Sequence, residues 1–138
     1  MRVVRWLVAA VLVGALGRQM TGAEKPSEEY VSAMRDLDAI KQALTRPGAP
    51  ADFAAVEKLA ARAEASFKVA VLYWDARKVD DAFRLAALGV KTAQDTGIAA
   101  EYSSEEGVVV GVEEMLATCD ACHKAHREQM PDGTFLIK

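Results

Sequence analysis

Apolar residues recur every three or four positions along most of this chain, with charged residues between them. That spacing is helical, because 3.6 residues complete one turn. The first such stripe is Tyr30, Ala33, Met34, Leu37, Ile40 and Leu44. Ser27 precedes it as a cap, and Glu28 and Glu29 fall in the first turn, where the helix dipole favours acids. Pro47-Gly48-Ala49-Pro50 closes it just past Arg46. A second stripe, opened by Asp52, runs through Phe53, Val56, Leu59, Ala60, Ala63, Phe67, Ala70, Val71 and Trp74 and stops between Trp74 and Val79. Asp80 caps a third helix in this reading, with Phe83, Ala86, Ala87, Val90 and Ala93 facing inward and Gly97 ending or bending it. Ser103 with Glu106 makes a capping box for a fourth, whose face carries Val108, Gly111, Val112 and Met115. Gly107 and Gly111 weaken that helix, so they either admit a close neighbour or are simply tolerated. It ends before Pro131-Asp132-Gly133, and Thr134 to Ile137 follow as a short extended tail. Four amphipathic helices of this length predict an all-α fold, a four-helix bundle able to house a cofactor between facing helices.

The N-terminus changes the picture of where the chain works. Arg2 and Arg5 precede an apolar run from Trp6 to Gly17, and Thr21-Gly22-Ala23 offers small residues for cleavage. Residues 1–23 therefore read as a cleavable secretory signal, with an uncleaved anchor as the other reading. The expected mature domain is 24–138, exported and soluble in the periplasm. Loss of three arginines with the signal takes the formal charge from −3 to −6. An acidic chain excludes nucleic acid as the expected partner, since that needs a basic footprint. No glycine-rich phosphate loop and no serine–histidine–acid set points to an enzyme.

The candidate chemistry lies at Cys119-Asp120-Ala121-Cys122-His123, which holds the only two cysteines. Two cysteines three apart, with histidine directly after, form the attachment pattern of a c-type haem. On a helix the three side chains share one face. The thiols would carry thioether bonds, and His123 would turn a ring nitrogen to the iron. Other readings are a disulfide, a redox dithiol and half of a zinc site. A thioredoxin-like dithiol belongs near a βαβ pattern, which this chain lacks. A zinc site spreads its four ligands over wider pairs than Cys119, Cys122, His123 and His126 allow.

With Thr118-Cys119-Asp120-Ala121-Cys122-His123-Lys124-Ala125-His126-Arg127 near the C-terminus and Tyr30-Val31-Ser32-Ala33-Met34-Arg35 in the first helix, the chain resembles the class II c-type cytochromes, the group of cytochrome c′ and cytochrome c556. The resemblance implies an exported four-helix bundle, often dimeric, with one haem c on the last helix. It implies that Cys119 and Cys122 hold the haem, that His123 is the proximal iron ligand, and that Arg127 lies near a propionate. His126 stands where the family usually has an aromatic residue, and the Thr134-Phe135-Leu136-Ile137-Lys138 tail is longer than usual.

Function then turns on the other face of the iron. Met115, His126 and Met130 lie too close to His123 along the chain to cross the ring. Met1 and Met20 leave with the signal, so Met34 is the remaining methionine on another helix. It either ligates the iron or lines an open site as a core side chain. Ligation suits a monohaem electron carrier whose redox partner presents a basic or apolar patch. An open site suits a protein that binds NO or CO. A haem-free metal-binding or dithiol protein is the third expectation. Spare apolar surface on the first two helices leads us to expect a homodimer.

Overall fold

A computed structural model of the chain describes residues 23–48 and 52–138. The leader expected over residues 1–23 lies outside the described residues except for Ala23, and so do Ala49 and Pro50 of the first turn. The described chain forms α1 (Glu28–Thr45), α2 (Phe53–Arg77), α3 (Asp80–Glu101) and α4 (Glu105–His126), then a hairpin of β1 (Arg127–Gln129) and β2 (Phe135–Ile137). It is an all-α four-helix bundle. Among the described residues no helix is long and apolar enough to cross a membrane.

Local chemistry sets most of the helix ends. The Ser27 side chain accepts from the Tyr30 N–H and starts α1, and the Asp52 side chain accepts from the Ala55 N–H and starts α2. Lys78 ends α2 in the left-handed conformation, with φ 57°. That leaves only Val79 before α3, so Val79 is its N-cap and Asp80 is already the first helical residue; the helix starts one place earlier than expected. The cap of α4 also moves by one, from Ser103 to Ser104. Ser103 is spent on the left-handed turn (φ 52°), and the Ser104 hydroxyl accepts from the Gly107 N–H at 3.2 Å. Gly97 neither ends nor interrupts α3.

Packing follows small residues. Ala82, Ala86, Gly89, Ala93, Thr96 and Ala100 form the buried stripe of α3, against α2 on one side and α4 on the other. That stripe turns Phe83 outward, where it is 37 % exposed, so it is not the core side chain its periodicity suggested. A Cβ on Gly89 would lie 2.4 Å from the Phe67 ring, and one on Gly111 would lie 2.4 Å from Thr96 Oγ1. Helix α1 leans on α2 through Asp36, which pairs with Arg62 and accepts from the Ser66 hydroxyl. Large apolar side chains stay exposed at Leu72, Leu88, Ile98 and Val109, and none of those described on α1 does.

The tail is more than an extended end. Arg127 pairs with Ile137 and Gln129 with Phe135 in antiparallel register, and Ile137 also exchanges both backbone hydrogen bonds with Glu24 at 2.9 Å. This clasp ties both ends of the described chain together beside the last turn of α4.

Candidate functional site

Between α1 and α4 the bundle opens into a cavity of about 850 Å³. Helix α1 supplies Tyr30, Met34, Leu37 and Lys41 to its wall, and α2 supplies Phe67, Ala70 and Trp74. Cys119, Cys122 and His123 come from α4, and Phe135, Leu136 and Ile137 from the hairpin. The five residues singled out in the sequence, Met34, Cys119, Cys122, His123 and Arg127, all border this one space. Its size falls in the range of ligand pockets, roughly 300–1,000 Å³. A smaller hollow of about 420 Å³ between α3 and α4 is lined by Asp95, Glu106 and Glu114 and touches none of those five.

Helix geometry explains the α4 wall. Met115, Thr118, Cys119, Cys122 and His123 succeed one another at three and four, so one stripe passes from the core into the cavity. Met115 and Thr118 are buried, whereas both cysteines and His123 are only partly so. The two thiols are free. Burial raises the Cys119 thiol above its ordinary range, with Asp120 adding to it; burial also pushes Cys122 up to about 11, with Cys119 and Asp81 adding. A thiol tuned for disulfide exchange is shifted the opposite way.

His123 is held neutral by burial, and the Arg127 guanidinium lowers it further. Arg127 Nη1 lies 3.2 Å from His123 Nδ1. A guanidinium only donates, so Nδ1 accepts and the proton of the neutral ring sits on Nε2. Arg127 itself packs over the Phe135 ring, with Cζ 3.2 Å from the centroid.

Tyr30 of α1 and Trp74 of α2 bring an aromatic cluster to the cavity. Tyr30 stacks on Tyr73 at 4.0 Å, and Trp74 stands edge-on to Tyr73 at 5.1 Å. Burial pushes the Tyr30 hydroxyl far above the usual phenol range. Trp74 Nε1 is buried without a hydrogen-bond partner among the described residues, and Trp74 borders the cavity. Met34 is half-buried and packs against both the aromatic cluster and the main core.

Sequence reasoning missed several parts of this site. His126 borders the same cavity as the motif, with its Nε2 2.9 Å from Asp81 Oδ2 and its ring 5.1 Å from Trp74. Lys41 and Phe135 reach the cavity although no motif marks them. Their signal is tertiary, from the helix crossing and the strand pairing. Among the described residues no three His, Cys, Asp or Glu side chains converge to hold a metal ion. A structural zinc needs such a cluster, whereas a haem iron asks the protein for one or two ligands.

No protein-family model, curated protein or solved structure matches the chain.

Proposed function

We propose that this chain is an exported monohaem c-type cytochrome that carries electrons in the periplasm, as class II cytochromes do. The observation that carries the reading is the common cavity. The Cys119–Cys122–His123 stripe, Met34 and Arg127 come from different parts of the chain and border one apolar space of about 850 Å³. The residues present fit a haem: two free thiols and a neutral imidazole on one wall, a thioether on another, and beside them an indole donor with no partner among the described residues. When bound, the group supplies a one-electron iron couple.

The chain's own residues then have distinct tasks. Cys119 and Cys122 would hold the group on α4 through thioether bonds. His123 would offer the iron its Nε2 lone pair with the ring proton on Nδ1, which could then no longer accept from Arg127. Arg127 would be available to a propionate. Phe67, Trp74 and Leu37 would keep water from the group. Met34, which borders the same cavity from α1, would supply its thioether to the iron. A neutral sulfur there favours reduced iron and a high potential. The acidic chain suits a partner with a basic or apolar patch. A homodimer belongs to the same proposal, and sedimentation of the coloured protein at micromolar concentration reads it.

The test is covalency. Protein recovered from a periplasm that matures c-type haem should retain one haem through acid–acetone extraction, and its mass should exceed the mature chain by one haem. Cys119→Ala and Cys122→Ala together should abolish retention. A colourless protein with the mass of the bare chain sinks the reading.

A further inference from the structure

The hairpin after α4 has no task in the reading above, yet it is built with care. Its turn is fixed by Asp132, whose carboxylate accepts from the Thr134 N–H at 2.9 Å and the Thr134 hydroxyl at 2.7 Å. Met130 N–H donates to the Thr134 carbonyl at 2.8 Å, and Gly133 takes φ 83°, where glycine is favoured. The register Gln129↔Phe135 and Arg127↔Ile137 then places Phe135 diagonally across from Arg127. That diagonal is within reach of a long side chain and an aromatic ring. Ile137 anchors the far end in the Tyr30–Trp74 cluster and to Glu24. The product is a single contact, the Arg127 guanidinium over the Phe135 face, with its other edge at His123 Nδ1.

We propose that Phe135 is a positioning residue: the C-terminal hairpin presents its ring to hold the Arg127 charge beside His123. The inference rests on reading the cavity as a haem site. An arginine just past a helix end is otherwise free to sample many rotamers and to leave for solvent. A guanidinium is drawn to the face of an aromatic ring and keeps its edge donors free while stacked. So when His123 Nδ1 ceases to accept, the Phe135 face retains Arg127 at the rim instead of releasing it. Asp38 of α1 also faces Arg127 and stabilises its charge, and Tyr30 lies on the same side. A fixed positive charge one imidazole away from the iron disfavours the more positive oxidised state. Neighbouring charge and hydrogen bonding are the levers by which a protein sets a haem potential.

The experiment compares the unmutated holoprotein with Phe135→Leu, Phe135→Tyr, Arg127→Gln and the Phe135→Leu/Arg127→Gln pair. The readout is the midpoint potential by spectroelectrochemistry. Phe135→Leu should lower the potential in the same sense as Arg127→Gln. Phe135→Tyr, which keeps the ring face, should stay at the unmutated value. The double variant should stop at the Arg127→Gln value, because both changes remove one charge effect. Additive shifts, or an unmoved potential in Phe135→Leu while Arg127→Gln moves it, overturn the proposal. Thermal melting checks folding, and Phe135→Met replaces Phe135→Leu should the latter melt early. If the unmutated protein carries no covalent haem, the haem reading fails by itself. Nitrogen NMR of His123 then decides: Phe135→Leu should weaken the Nε2–H tautomer that Arg127 enforces, and unchanged ring signals overturn the positioning role.

Discussion

The Phe67 ring lies directly against the backbone of Gly89, so that a Cβ at position 89 would come within 2.4 Å of it. Phe67 is 4 % exposed, so its ring has little open solvent to swing into. Gly89→Ala should therefore destabilise the protein by about 1–3 kcal/mol, the usual cost of overpacking, although alanine is the better helix former. Gly97→Ala is the control. Its added methyl would meet only Ala60 Cβ at 3.5 Å, so helix propensity should dominate and stabilise by about 0.5–1 kcal/mol. Denaturant unfolding of the two variants checks both signs.

The same closeness recurs between α3 and α4. Thr96 Oγ1, bonded back to the Thr92 carbonyl at 2.7 Å, fills the space that a Gly111 Cβ would need. Gly111→Ala should cost stability, and Thr96→Ser in the same chain should not rescue it, since the hydroxyl stays in place. Thr96→Ala with Gly111→Ala should recover part of the loss. The double-mutant comparison by urea melts reads the coupling.

Much of this was legible from short range alone. Ser27 and Asp52 were readable as caps because a cap is a contact between neighbours in sequence. The Cys119–His123 motif was readable for the same reason. Phe83 was misread because periodicity gives a helix face but not which neighbour will press on it. Gly89 and Thr96 chose a closer approach one position away. The hairpin was hidden because Arg127 meets Ile137 only through a pairing of two three-residue strands. The cavity could not be read as a space, since its walls come from all four helices and the tail. Met34 was found by elimination, and its position on the cavity wall required the crossing of α1 over α2.

A chain without haem offers a pH test of the His123 site. Burial and Arg127 hold His123 below the usual 6.5 in the folded state. As pH falls through 6.5, the unfolded chain takes up the proton first while folded His123 stays neutral. Protons then favour unfolding, so stability is full above 6.5 and declines below it until the folded ring also titrates. Cys119→Ala/Cys122→Ala protein, melted between pH 8 and pH 5, should lose stability on the acid side. The same protein with His123→Gln should show a shallower decline. An identical pH profile with and without His123 would mean that the ring is not held neutral in the fold.

The last expectation concerns Met34 in the coloured protein. Its thioether borders the cavity from α1, while His123 borders it from α4. A helix that held a haem through Cys119, Cys122 and His123 could not also reach the other face of it, so a second ligand would come from another element. Met34 is half-buried between the aromatic cluster and the main core, which leaves its flexible side chain room to move. As ligand it should give low-spin spectra in both oxidation states and a weak sulfur-to-iron band in the far red when oxidised. Met34→Ala should turn the iron high-spin, lower its potential and open it to carbon monoxide. Met34→Leu should do the same while keeping the packing volume, which separates lost ligation from a cavity left by truncation. The contrary result is equally definite. An unmutated protein that is already high-spin and takes up carbon monoxide or nitric oxide rapidly has an open site. Met34 is then a wall of that site, and binding a small gas replaces electron carriage as the function. Attachment through Cys119 and Cys122 is common to both outcomes, so the spectrum tests the ligand and not the fold.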